Sequence, residues 1–178
     1  MDRHIVLIGM MGAGKTAVGG ELSRRLGARF IDSDSEIEAA AAMTIAEIFA
    51  RDGEEFFRMR ESEVLRRLLA APPSVISTGG GAWLRAENRD LIRRKGLSVW
   101  LNVDLETLWN RVRMRSTRPL LKTADPKGTL TTMLESRRPH YATAELVFDV
   151  QGGDSIDQTA SRLLSQIRAT HPECIGVK

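Results

Sequence analysis

Apolar runs alternate with amphipathic stretches from one end of this chain to the other. Runs of the strand type fall at 4–8, 29–31, 74–77, 97–103 and 146–150. The first contains Ile5-Val6-Leu7-Ile8, apolar without a break, as a strand buried on both faces requires. Helical spacing of apolar residues covers 15–26, 34–42, 45–51, 54–70, 85–95, 105–115, 127–144 and 155–169. Strands that alternate with helices in this way predict an α/β domain, a parallel sheet with helices on both faces. Boundary residues agree. Thr44 and Glu47 have the spacing of a capping box, Gly96 can end one helix, Asp104 can start the next and Asp154 can cap the last. Pro72-Pro73 closes the helix before the third strand. From Ser116 to Lys127 the periodicity is lost, and the segment reads equally as a mobile lid or as an inert surface loop.

The chemistry begins where the first strand ends. Gly9-Met10-Met11-Gly12-Ala13-Gly14-Lys15-Thr16 fits G-x-x-x-x-G-K-[ST], a phosphate-binding loop. Val18, Leu22 and Leu26 follow at helical spacing, so the loop leads from a buried strand into a helix N-terminus, where unpaired N–H groups favour an anion. Gly9, Gly12 and Gly14 let the backbone wrap closely around phosphates, with Ala13 and Ala17 beside them in the nucleotide-binding set, Lys15 reaches the outer phosphates, and the Thr16 hydroxyl suits Mg²⁺.

Other polar groups cluster at strand ends. Asp32 and Asp34 follow the second strand, where a ligand crevice opens in a parallel sheet. Such acids serve a Mg²⁺ ion, a substrate hydroxyl or a helix cap. Gly79, Gly80 and Gly81 follow the third strand and allow a ligand close to the backbone, or form a plain turn. Arg58 and Glu61 share a helix face, either as a rigid fork for a substrate carboxylate or as a surface ion pair. Arg118 stands in the aperiodic segment, and Arg137-Arg138 in a later helix.

Composition narrows the classes. A chain of 178 residues with 42% hydrophobic and 28% charged residues is one ordinary globular domain. No apolar run has membrane-spanning length and no secretory signal is visible, so a cytoplasmic protein with no membrane partner is expected. The single cysteine, Cys174, lies in a polar tail and reads as an exposed thiol. The net charge of +3 suits anionic small substrates or nucleic acid, but nine aromatics with no basic interleaving give no stacking platform, so no nucleic-acid partner is expected. With no coiled coil or long apolar edge, a monomer is expected.

Taken together, these motifs resemble the shikimate kinases. The resemblance runs from about Ile5 to Val150 and rests on several motifs in order. They are the phosphate loop, Asp32-Ser33-Asp34, Phe57-Arg58-Met59-Arg60-Glu61, Gly79-Gly80-Gly81, Arg118-Pro119-Leu120-Leu121 and Arg137-Arg138-Pro139-His140-Tyr141. It implies a three-layer P-loop fold with a five-stranded parallel sheet in the order 2-3-1-4-5. A single domain over 1–170 would carry a substrate-binding region near 33–61 and a lid near 112–125, with a tail over 171–178. It implies transfer of the γ-phosphoryl of MgATP to the 3-hydroxyl of shikimate, on the route to chorismate. By position, Asp34 matches the acid at the shikimate hydroxyls, and Arg58 and Arg137 the carboxylate arginines. Gly80 matches a backbone contact within the triple glycine, and Phe49 and Phe57 match apolar walls. Lys15 and Arg118 match the groups on the transferred phosphate, Thr16 the Mg²⁺ ligand with Asp32 acting through water, and Arg111 an arginine beside the adenine.

The chain departs from the pattern after its last strand. Gln151-Gly152-Gly153-Asp154 stands where relatives place a more basic or proline-containing adenine loop. A gluconate kinase would share the loop and fold, but is not expected to combine Arg58 and Glu61 with Gly79–Gly81. A GTPase switch needs Asn-Lys-x-Asp, which Asn88-Arg89-Asp90 does not supply.

Overall fold

A computed structural model describes residues 1–113 and 121–176 of the protein. Strand β1 (His4–Ile8) is wholly buried and pairs in parallel with β3 (Val75–Ser77) on one side and β4 (Gly96–Asn102) on the other. Strand β2 (Phe30–Asp32) extends the sheet beyond β3, and β5 (Leu146–Asp149) beyond β4. The order is therefore β2-β3-β1-β4-β5, all parallel, as expected. Among the described residues, seven α-helices flank the sheet: α1 (Lys15–Leu26), α2 (Ser33–Ala41), α3 (Ile45–Leu69), α4 (Ala86–Lys95), α5 (Leu105–Val112), α6 (Pro126–Tyr141) and α7 (Ile156–Thr170). Helix α1 packs on α7 and against β3, while α4 packs on α3 and against β4. None of the described helices is long and apolar enough to cross a membrane.

This order creates the crevice. From β1 the chain leaves through α1 toward β2, and from β3 it leaves through α4 toward β4, on the far side of β1. The loops after two neighbouring strands thus diverge at their carboxyl ends, which is where a parallel sheet receives a ligand.

Most caps fall where the sequence puts them. Thr44 and Glu47 form a full capping box, Asp104 accepts from the Thr107 N–H, and Gly96 donates its N–H to Ile92 O. Two expectations need correction. Asp154 is not the cap of α7: Ser155 is, through a capping box with Gln158, while Asp154 pairs with Arg162. The expected break between 45–51 and 54–70 is present within α3, where Gly53 at φ 83°, ψ 172° is non-helical and kinks the chain, a positive φ that glycine adopts without a Cβ penalty. Cys174 is buried, not exposed. Pro172–Ile175 makes a 3₁₀ turn whose Cys174 carbonyl accepts from the Asp2 N–H at 3.1 Å, so the C-terminal turn is tied to the start of β1. Burial pushes the thiol pKa up.

Candidate active site

The phosphate loop joins the buried end of β1 to α1. Gly14 is the cap of α1, at φ 92°, and no side chain caps that end. Gly12, at φ 80°, lies so close to α5 that a Cβ there would come 2.6 Å from Val112 Cγ1. The result is a backbone cradle at a helix start whose first turn holds no acid, suited to an anion. Lys15 is buried and its Nζ donates to Gly9 O at 2.8 Å and Met10 O at 2.9 Å, which holds the ammonium over the loop. Arg111 donates from α5 to Gly12 O at 3.2 Å and Ala13 O at 3.3 Å.

Asp32 ends β2 and ties three elements together. Its Oδ2 accepts from Thr16 Oγ1 at 2.7 Å, and its Oδ1 accepts from the N–H groups of Asp34 and Ser35 at 3.0 and 3.3 Å. The helix-cap reading of Asp32 is therefore correct, alongside its contact with the phosphate loop. A hydroxyl and a carboxylate side by side, with Ser77 Oγ 3.5 Å from Thr16 Oγ1, form an all-oxygen set that fits Mg²⁺. Among the described residues no three His, Cys, Asp or Glu cluster around a metal.

The triple glycine explains itself by close approach. A Cβ at Gly79 would come 2.6 Å from Glu61 Oε1 and 2.8 Å from Asp34 Oδ1. One at Gly80 would come 3.4 Å from Arg137 Nη1, and one at Gly81 would collide with the Arg58 guanidinium. Four charged side chains from α2, α3 and α6 thus converge on one stretch of bare backbone. Arg58 Nη1 donates to Glu61 Oε2 at 2.9 Å and Nη2 to Glu54 Oε1 at 3.2 Å, with 11% of the Arg58 side chain exposed and 1% of that of Glu61. Burial opposes the charge on Arg58, but the two carboxylates outweigh it and its pKa is raised. Burial raises the Glu61 pKa, against the pull of Arg58. This pair is no surface ion pair. The Phe57 ring lies 5.1 Å below Arg58 and 5.0 Å from the ring of Phe49, which gives the guanidinium an apolar support. Arg137 is buried and turned to the site, whereas Arg138 is exposed.

The phosphate loop, Asp32, Asp34, Gly79, Gly80 and Arg111 line one cleft of about 580 Å³, ample for a small ligand. Arg118 lies outside the described residues. One residue entered the sequence reading only as the end of a motif, with no role of its own. Tyr141 is wholly buried, and its hydroxyl donates to Gly80 O. The available signal was its place four residues after Arg137, on the same helix face. Tyr141→Phe frees the Gly80 carbonyl and is expected to raise the KM for the acceptor about 10-fold, with kcat and the KM for the nucleotide within about twofold. Steady-state kinetics check this; a loss in kcat at unchanged KM would contradict it.

A phosphate loop that shares a cleft with Asp32, Asp34, Gly79 and Gly80, with Arg58 and Arg137 set against the triple glycine, on a 2-3-1-4-5 parallel sheet, defines a P-loop kinase of small molecules. The comparisons make it particular. The family profile for shikimate kinase matches residues 11–168. A shikimate kinase of Ruegeria pomeroyi is 54% identical over 94% of this chain and 86% of its own length. One of Cereibacter sphaeroides is 53% identical over 98% of this chain and 87% of its own length. The structure of a shikimate kinase from Acinetobacter baumannii in complex with shikimate superposes with TM-score 0.91 at 36% identity, covering 95% of this chain and 94% of that one. A gluconokinase from Sinorhizobium meliloti, at 18% identity and TM-score 0.56, shares the fold alone. The chain belongs to the shikimate kinase family, and the activity that goes with it is that of an ATP-dependent kinase.

Proposed function

We propose that this chain transfers the γ-phosphoryl of MgATP to the 3-hydroxyl of shikimate, as a cytoplasmic monomer formed by one domain. The observation that carries this reading is the convergence of Asp34, Arg58 and Arg137 on Gly79–Gly81, beside the phosphate loop. Shikimate has one carboxylate and several hydroxyls. Arg58 and Arg137 supply guanidinium donors for the carboxylate, and Gly80 a backbone contact. Phe49 and Phe57 form the apolar wall. Asp34 accepts the hydrogen bond of the attacking hydroxyl and so aims its oxygen at the phosphorus. Gly12, Ala13, Gly14 and Ala17 wrap the phosphates, while Lys15 and Arg118 stabilise the group in transfer. Thr16 and Asp32 would hold Mg²⁺, Asp32 acting through water, and the ion would supply charge neutralisation on the phosphate oxygens. A lid near 112–125, of which 114–120 lie outside the described residues, would keep water from the transferred group.

The carboxylate contact has a direct test. Shikimate methyl ester keeps every hydroxyl and loses the charge. Its KM is expected to exceed that of shikimate about 100-fold or more, because charge-assisted hydrogen bonds to two arginines are lost. Equal KM values would remove Arg58 and Arg137 from substrate recognition.

A further inference from the structure

Asn88 and Arg89 supply no guanine motif and do not line the cleft, yet both side chains turn back toward the triple glycine. The reason lies in the turn that follows it. Ala82–Leu84 form a single 3₁₀ turn, with the Ala82 N–H bonded to Gly79 O at 3.2 Å and the Leu84 N–H to Gly81 O at 3.0 Å. So short a helix leaves its own carbonyls without helical donors. Arg85 is extended, at φ −81°, ψ 127°, and α4 starts at Ala86. The first turn of α4 reaches back over the turn before it. Asn88 Nδ2 donates to Ala82 O at 2.9 Å, and Arg89 Nη1 donates to Trp83 O at 3.0 Å and to Leu84 O at 2.7 Å. Two adjacent side chains thus take all three carbonyls of the turn. Asn88 is 1% exposed, and a buried amide is costly unless it is bonded.

A second helix fixes the same turn. Trp83 is wholly buried, and its Nε1 donates to His140 O of α6 at 2.8 Å. The next residue, Tyr141, holds Gly80 O. The bare backbone of 79–81 is therefore held by α6 directly and by α4 through the turn. Its placement has little slack. One carbon added at Gly79 would come 2.6 Å from Glu61 Oε1, and one at Gly81 would collide with the Arg58 guanidinium. Misplacement of a binding group by about 1 Å is enough to cost on the order of 100-fold in an enzyme.

We infer that Arg89, with Asn88, is a positioning residue for the acceptor. Through the carbonyls of 82–84 it fixes the backbone of Gly79–Gly81 against Asp34 and Arg58, and it does so without touching the acceptor. The inference rests on the reading above, in which Gly80 contacts shikimate. It gives the Asn88-Arg89 pair a role in acceptor affinity.

Steady-state kinetics of Arg89 variants test this. Arg89→Met keeps an apolar stem and removes both donors to the turn. Its KM for shikimate is expected to rise about 10-fold, with kcat and the KM for ATP within about twofold, the scale of one hydrogen bond to a charged group. The KM carries the effect because a backbone contact to the acceptor is made in the ground state as well as in the transition state. Arg89→Lys returns a cationic donor and is expected to bring the KM back to within about threefold of the parent's. A merely structural loss lowers the amount of active protein, and so the apparent kcat, but leaves the KM where it was. If a thermal melt shows that Arg89→Met does not fold, Arg89→Gln, which keeps one donor, is expected to raise the KM about threefold. A KM for shikimate unchanged in a folded variant, or one that Arg89→Lys does not lower again, overturns the assignment. No turnover of shikimate by the unaltered protein would instead overturn the acceptor reading.

Discussion

Asp34→Asn is expected to lower kcat about 100-fold or more while the protein stays folded and its KM for ATP moves less than about twofold. The side chain sits in the first turn of α2, with its own N–H bonded to Asp32 Oδ1 at 3.0 Å. Asparagine has the same shape and leaves that cap in place. It replaces one carboxylate oxygen with a donor, so the group that must accept from the attacking hydroxyl is lost or turned. Gly79, held close on the other side, leaves little room for the side chain to move away. Kinetics with a melting curve check both halves; near-normal turnover would remove Asp34 from the mechanism.

Arg58→Met is expected to do two separable things. It removes a guanidinium from the substrate pocket, which raises the KM for shikimate about 10–100-fold. It also strands Glu61, whose side chain is 1% exposed. An ion pair this buried costs about 3–5 kcal/mol to break from one side. For a chain of this size the melting temperature should fall on the order of 10 °C. The pH dependence follows from burial. The Glu61 pKa is already raised in the folded state, and loss of Arg58 raises it further. A raised carboxyl pKa means the folded state holds its proton more tightly than the unfolded one. The penalty in the variant is therefore absent below the unfolded value of 4.5 and grows as pH rises through the folded one. Arg58→Met should come closest to the parent's stability at acid pH. Adding Glu61→Gln should restore most of the melting temperature without restoring the KM. Thermal melts across pH, with kinetics of the single and double variants, check this. A KM recovered by the double variant would show that Arg58 acts on the fold and not on the substrate.

Much of this site was legible in the chain, because each part follows a local rule. The phosphate loop is set by glycine positions and the flanking periodicity, and the spacing of Arg58 and Glu61 puts them on one helix face. The capping residues Thr44 and Asp104 act within three residues of themselves, so their geometry is written locally. What stayed hidden depends on contacts between distant parts. Nothing beside Cys174 shows that its turn will meet Asp2 and Arg3, with the Arg3 guanidinium 3.9 Å from Sγ across 171 residues. The bond from Tyr141 to Gly80 spans 61 residues and links a helix to a loop that share no pattern. Asp154 and Ser155 are both good caps. Ser155 takes the cap, and Asp154 pairs instead with Arg162, two turns into the same helix. Charge on Arg58 and Arg137 was visible, but burial turns it from surface decoration into a pocket, and burial is a property of the fold.

The most direct test is ADP release from MgATP by the purified protein, with shikimate, gluconate, CMP or no acceptor present. The account predicts ADP only with shikimate, matched mole for mole by phosphorylated shikimate. Release with gluconate or CMP and none with shikimate would contradict it, since the pocket of Asp34, Arg58 and Arg137 would then serve another molecule.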